Sequence, residues 1–200
     1  LGDEVPEFTS GALNANGRRV VVIGGGDTAM DCVRTARRQG AQSVTCLYRR
    51  DRANMPGSQR EVAHAEEEGV AFDWLAAPKS VRAGKSPAVK AVRMQLGQPD
   101  ESGRQTPQEQ PDSAYEVPGD LIIAALGFDA EDLSDWHVEL TRWGTVKADP
   151  LSFATTEPGV YAAGDIVRGA ALVVWAIREG RDAADAMHDY IQSQAKVAAE

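Results

Sequence analysis

The sequence predicts an α/β fold built around a parallel sheet, and three observations carry that expectation. A short β-branched run, Arg19 to Ile23, ends in three consecutive glycines, Gly24 to Gly26. Directly afterwards apolar residues recur at helical spacing, at Ala29, Met30, Cys32, Val33 and Ala36, so that strand, tight turn and helix follow one another. Much later, Asp120 to Leu126 is a continuous apolar run, the form taken by a strand buried on both faces of a parallel sheet.

The remaining elements can be read in order. Leu1 to Asn16 is polar and aperiodic, with Pro6 and Gly11, and reads as a connector; because the chain opens on Leu1 rather than Met, a piece of a longer protein is expected. The first helix should stop near Gln39, where Gly40 offers the left-handed position of a C-terminal cap. Ser43 to Tyr48 reads as a second strand. Ser58-Gln59-Arg60-Glu61 has the form of a capping box opening a second helix, which Gly69 closes. Val70 to Leu75 is the next strand. Lys79 to Val81 and Ala88 to Leu96 form an antiparallel pair joined at Ala83-Gly84-Lys85, and Gln98 to Ser113, rich in Pro, Gln and Asp, is a surface loop or hairpin tip. The apolar run ends at Gly127, a domain border. Beyond it lie short strands at Thr145 to Lys147 and Gly159 to Ala163, then a long amphipathic helix from Ala171 to about Tyr190.

Composition narrows the function. With 200 residues, 42% of them hydrophobic, the chain can bury a full domain core and part of a second. No apolar run approaches the length needed to span a bilayer and no signal peptide is visible, so the expected address is cytoplasmic. A net charge of −9 repels polyanions, and the basic cluster from Arg49 to Arg52 is too small to bind nucleic acid. Cys32 and Cys46 are the two cysteines, without a C-x-x-C; this excludes a dithiol site and an iron–sulfur cluster held by this chain, and both thiols are expected to be buried. His64, His137 and His188 stand alone, without partners at metal-ligand spacing.

The chemistry sits at the glycines. Gly24, Gly26 and Ala29 make G-x-G-x-x-A after a strand and at the start of a helix, the context that makes this short motif a dinucleotide-binding turn of Rossmann type in a three-layer α/β domain. The first glycine permits the turn, the second admits a pyrophosphate, the small third residue lets helix and strand pack, and the helix N-terminus supplies free amides. The competing reading is a glycine turn with no ligand. About 20 residues on, an NAD site places an acidic residue to hold the ribose hydroxyl; here stand Tyr48-Arg49-Arg50. Two guanidiniums suit a 2′-phosphate and so NADPH, against the alternative of a solvated surface pair.

The run Val21-Val22-Ile23-Gly24-Gly25-Gly26-Asp27-Thr28-Ala29-Met30-Asp31-Cys32, followed by Tyr48-Arg49-Arg50-Asp51 and Asn54-Met55-Pro56-Gly57-Ser58, resembles the small-subunit family of NADPH-dependent glutamate synthases. Three later segments agree with that family's pattern: Ala125-Leu126-Gly127-Phe128, the stretch from Val160 to Gly169, and Leu172-Val173-Val174 with Ala176 to Arg181. The resemblance runs from about Arg18 to Ile191. It implies an NADPH-binding Rossmann domain at 17–126, after the connector at 1–16, and the C-terminal segment of an FAD-binding domain at 127–200. The candidate NADPH-binding residues are Gly24, Gly26, Asp27, Thr28, Ala29, Arg49, Arg50 and Gly127. Gly164 and Asp165 would sit against the ribityl and phosphate part of FAD, and the helix start near Val173 would face its ring. The parent enzyme would pass hydride from NADPH to FAD and electrons through iron–sulfur clusters, in an N-terminal region with no counterpart here, to a large subunit that makes glutamate. Such hydride transfer needs no catalytic side chain of its own.

Other readings share parts of this pattern: a related flavoprotein reductase, such as a dihydropyrimidine dehydrogenase-like protein or a ferredoxin:NADP oxidoreductase subunit, and an NADPH-binding module without turnover. A short-chain dehydrogenase is excluded. The four residues that follow Tyr48, Tyr115, Tyr161 and Tyr190 at its Tyr-x-x-x-Lys spacing are Arg52, Gly119, Asp165 and Gln194.

Overall fold

The computed structural model describes Gly11 and residues 13–101, 103, 105–127 and 131–197. Most of the expected connector, 1–10 and 12, lies outside the described residues, as does Phe128. The chain divides into two compact units, Leu1–Gly127 and Phe128–Glu200.

In the first unit, β1 (Arg19–Ile23) leads through the glycines into α1 (Asp27–Arg38), then β2 (Ser43–Tyr48), α2 (Gln59–Glu67) and β3 (Ala71–Trp74). A meander follows, β4 (Ala76–Arg82), β5 (Ala88–Pro99), β6 (Gln105–Glu109) and β7 (Tyr115–Pro118), before β8 (Leu121–Ala124) returns to the first sheet. The four parallel strands lie in the order β3-β2-β1-β8, with Val22 beside Cys46 on one side and Ile123 on the other. Side chains alternate along β1 as a strand requires. Val20 and Val22 join Met30, Val33 and Val62 from the helices, whereas Val21 and Ile23 pack with Ala76, Val89 and Ala91 of the meander. Three layers result: two helices, a parallel sheet and an antiparallel sheet in which the long β5 takes β4 on one side and β7 and β6 on the other. The register of β8 is pinned at its start by Arg19, whose backbone amide and side chain both donate to Asp120, at 2.9 and 2.6 Å, and which holds that carboxyl well below the usual range.

The first helix ends as expected: Gly40 has φ +85°, and the amides of Gly40 and Ala41 donate to the carbonyls of Arg37 and Ala36. Its outer side is tied to α2 by charge. Arg34 pairs with Glu61, and Glu68 accepts from Arg34 and Arg38 at 2.8 and 2.7 Å. Both thiols are held protonated at neutral pH by burial, Cys46 most strongly, pushed up to about 12; Cys46 is buried but Cys32 only partly so.

Several expectations need correction. The capping box does not form: Ser58 makes no side-chain cap bond, because Glu61 is drawn to Arg34 and the Ser58 amide is taken by Asp27. The strand β8 is only half-buried, since it lies last in the four-strand order rather than inside it. Of the two readings of residues 98–113, the hairpin holds, for β6 pairs Met94 to Leu96 with Pro107 to Glu109; β7 was not anticipated. In the second unit Thr145 to Lys147 and Gly159 to Ala163 form isolated bridges, Leu140 with Val146 and Ala154 with Tyr161, rather than strands. A short helix, α3 (Asp165–Arg168), precedes α4, which runs Val173–Val197 and so begins later and ends later than expected.

Two outcomes follow from this packing. Met30 is 1% exposed beneath the sheet, so Met30→Ala should cost about 2 to 5 kcal/mol in a denaturant titration, while Val81→Ala on the exposed end of β4 should stay within about 0.5 kcal/mol. Glu68 is lowered from 4.5 to about 2, first by its hydrogen bond with Arg34 and then by that with Arg38. A carboxylate depressed in the folded state contributes stability above its ordinary pKa and loses it as pH falls. Unfolding midpoints should therefore drop between pH 4.5 and about 2, and Glu68→Gln should flatten that part of the profile.

Candidate dinucleotide site

At the C-terminal end of β1 the backbone must turn where two neighbouring strands leave no room. Gly24 has φ +149°, and a Cβ there would lie 2.2 Å from the carbonyl oxygen of Ala125 at the end of β8. A Cβ on Gly25 would lie 2.3 Å from the ring of Tyr48 at the end of β2. Gly26 differs: nothing lies within 4 Å of its would-be Cβ, so it faces open space, and as the N-cap of α1 it has an extended backbone and no side-chain cap. The helix leaves its first amides without intrahelical acceptors, at the positive end of the dipole.

These features open onto one cleft of about 730 Å³. Of the residues singled out in the sequence, Gly24, Gly26, Thr28, Arg49, Arg50 and Gly127 line it. Asp27 and Ala29 stand behind its wall: Ala29 is fully buried beneath the turn, and the Asp27 carboxylate accepts a hydrogen bond from the Ser58 amide at 3.0 Å. Arg49 is exposed and Arg50 partly buried. The Nε of Arg50 is buried with no hydrogen-bond partner among the described residues, while its carbonyl is fixed by the Leu75 amide at 3.0 Å. A buried, unsatisfied cationic donor is costly, and the two guanidinium side chains beside the cleft suit an anion. The residues present thus fit a dinucleotide.

Sequence reasoning missed the opposite wall, Ala76 to Pro78, with Tyr48, Asn54 and Pro56. Tyr48, Asn54 and Pro56 lay inside the quoted motifs but carried no assigned role; the wall from β4 had no signal, because small residues are placed there only by the turn after β3.

In the second unit, Gly164 has φ +78° and caps α3, Asp165 is its first residue, and Val173 opens α4 with its side chain exposed. The residue that organises this region is Glu179, which the sequence did not single out for a role. It is buried, accepts the Gly164 amide at 3.0 Å and the Arg168 Nε at 2.8 Å, and is held below its ordinary pKa by Arg168 first and the Gly164 amide second. Among the described residues no cluster of metal-ligating groups occurs and no helix is long and apolar enough to cross a membrane.

The chain belongs to the pyridine nucleotide-disulphide oxidoreductase family, whose pattern matches residues 3–180. Within that family it is similar over nearly its whole length to glutamate synthase (NADPH) small chains: 59% identical over 201 residues to that of Azospirillum brasilense, covering 98% of this chain and 42% of the relative. The Escherichia coli K12 small chain is 48% identical over 189 residues, covering 90% and 40%. The chain thus spans less than half the length of these curated relatives. It is also 44% identical over 180 residues to the NADP(+)-dependent formate dehydrogenase subunit beta of Moorella thermoacetica, covering 88% and 25%. The solved structure of FprA from Mycobacterium tuberculosis in complex with NADPH shares the fold, with a TM-score of 0.74 at 16% identity, over 96% of this chain and 57% of that one.

The three glycines should separate stability from binding. Gly26→Ala meets no atom and should leave the unfolding midpoint near that of the parent while weakening nucleotide binding at least tenfold, because the methyl group projects into the cleft. Gly25→Ala must displace the buried Tyr48 ring and should lower the midpoint itself, by about 1 to 3 kcal/mol in equilibrium unfolding.

Proposed function

We propose that this chain is the NADPH-binding part of a glutamate synthase small subunit, with NADPH held in the cleft of the first unit. The observation that carries the proposal is the pair Arg49 and Arg50 lining the same cleft as the glycine turn. An acidic residue there would receive a ribose hydroxyl; two guanidiniums select a 2′-phosphate. Gly24, Gly26, Thr28 and Gly127 shape the pyrophosphate end with the amides of α1, Asp27 and Ala29 support it from behind, and Arg49 and Arg50 hold the adenosine end. Bound NADPH and FAD supply the hydride chemistry between them. The side chains here hold, orient and exclude, and none is assigned an acid or base role.

The proposal extends to the full-length protein: FAD against Gly164, Asp165 and the start of α4 at Val173, iron–sulfur clusters outside this chain, a glutamate synthase large subunit as partner, and a cytoplasmic address. Its domain borders are 17–126 for the nucleotide domain and 127–200 for the flavin segment, and the similarity to relatives named as glutamate synthase small chains supports the assignment. The similarity to a formate dehydrogenase subunit favours a second reading, in which the same module delivers reducing power to another partner. Copurification of the full-length protein with a glutamate-forming large subunit separates the two.

Calorimetric titration of this chain tests the nucleotide assignment. At about 1.5 to 3 kcal/mol for each charge-assisted contact, NADPH should bind on the order of a hundredfold more tightly than NADH. The Arg49→Ala, Arg50→Ala double variant should lose that preference while keeping its NADH affinity. Equal affinities in the parent chain would remove the assignment.

A further inference from the structure

The segment between the arginine pair and α2 is tied down at both ends of the cleft. At the arginine end, the Tyr48 hydroxyl donates to the Asn54 carbonyl at 2.9 Å, and Asp51 Oδ1 accepts from the Asn54 amide and side chain at 2.9 and 2.8 Å. In its middle, Met55 is buried in the helix-side core. At the glycine end, the Gly57 amide donates to the Gly25 carbonyl at 2.9 Å, and the Ser58 amide donates to Asp27 Oδ1 at 3.0 Å. Contact there is close enough that a Cβ on Gly57 would lie 3.0 Å from the Gly25 oxygen. The Tyr48 ring also packs against Gly25. One segment, 51–58, therefore spans from the residues that follow Arg50 to the turn that begins α1.

We propose that this segment is a strap that fixes the spacing between the glycine turn and the arginine pair, and that Tyr48 and Asp27 are positioning residues that set the preference for a 2′-phosphorylated dinucleotide through it. The inference rests on the NADPH reading above. A ligand that bridges both ends of the cleft benefits from a preset spacing, because the ordering cost is met before binding. A ligand that uses one end alone gains nothing from that spacing. Asp27 accordingly ties down the Ser58 amide that the capping box would have given to Glu61, rather than contacting the nucleotide.

Three probes separate these effects: NADPH, which spans both ends; NADH, which lacks the 2′-phosphate; and adenosine 2′,5′-bisphosphate, which lacks the pyrophosphate bridge. In Tyr48→Phe, which keeps the ring over Gly25 and removes the bond to Asn54, and in Asp27→Ala, NADPH should weaken roughly three- to tenfold, the range of one lost hydrogen bond. Both single-ended probes should change by less than about twofold on the same reasoning. Asp27→Asn retains an acceptor for the Ser58 amide and should keep the parent affinities. Unfolding midpoints measured alongside identify variants that have merely loosened. Equal weakening of all three probes, or no weakening of NADPH, overturns the proposal; Asp27→Asn behaving like Asp27→Ala overturns the part assigned to Asp27. A parent chain that binds NADPH and NADH equally instead overturns the reading beneath it.

Discussion

The site depends on the absence of side chains where β1 ends. Gly24 lies against the backbone of β8 and Gly25 against the ring that closes β2, so that any Cβ at either position would overlap a neighbour. Only under that condition can the chain turn within three residues and start α1 with its amides open to the cleft. The flanking strands then deliver the rest: β2 ends in Tyr48, Arg49 and Arg50, and β8 runs into Ala125, Leu126 and Gly127. In a parallel sheet the carboxyl ends of neighbouring strands converge on such a crevice. The three sequence segments, separated by tens of residues, meet there because β1 lies between β2 and β8.

Several polar groups around the crevice are already engaged. Tyr48, Asp27, Asp51 and Asn54 are engaged with one another or with backbone, which makes the wall stiff. Arg50 holds its carbonyl in a bond to Leu75 and leaves Nε buried without a partner. The second unit follows a similar logic on a smaller scale, with one buried carboxylate, Glu179, holding the Gly164 turn and Arg168 against the long helix. Around it Leu172, Val173, Val174 and Ile177 remain exposed.

Local signals in the sequence were enough for the parallel sheet. The glycine run, the helical spacing from Ala29 to Ala36 and the left-handed stop at Gly40 each state a backbone requirement that no distant residue alters, and the structure places β1, α1 and β2 accordingly. What escaped depended on partners remote in the chain. Glu61 looked like half of a capping box until Arg34, 27 residues away, took it. The polar tract around Gln105 became a strand because β5 extends far enough to pair with it. In the site, the glycines and arginines were legible because their chemistry is visible one residue at a time. The Ala76 to Pro78 wall and the Tyr48 tie were not, since alanine, proline and a tyrosine hydroxyl acquire a role only from what the fold sets beside them.

The most direct test of a preorganised NADPH site is nitrogen-15 NMR of the Arg50 side chain. In the free chain the Nε–H should give a resonance protected from solvent exchange by burial. Addition of NADPH should shift it strongly as the 2′-phosphate binds beside the guanidinium pair, along with the amides of Asp27 and Thr28, and NADH should shift the amides alone. An Arg50 Nε–H resonance that ignores NADPH, or responds equally to both nucleotides, would contradict the account.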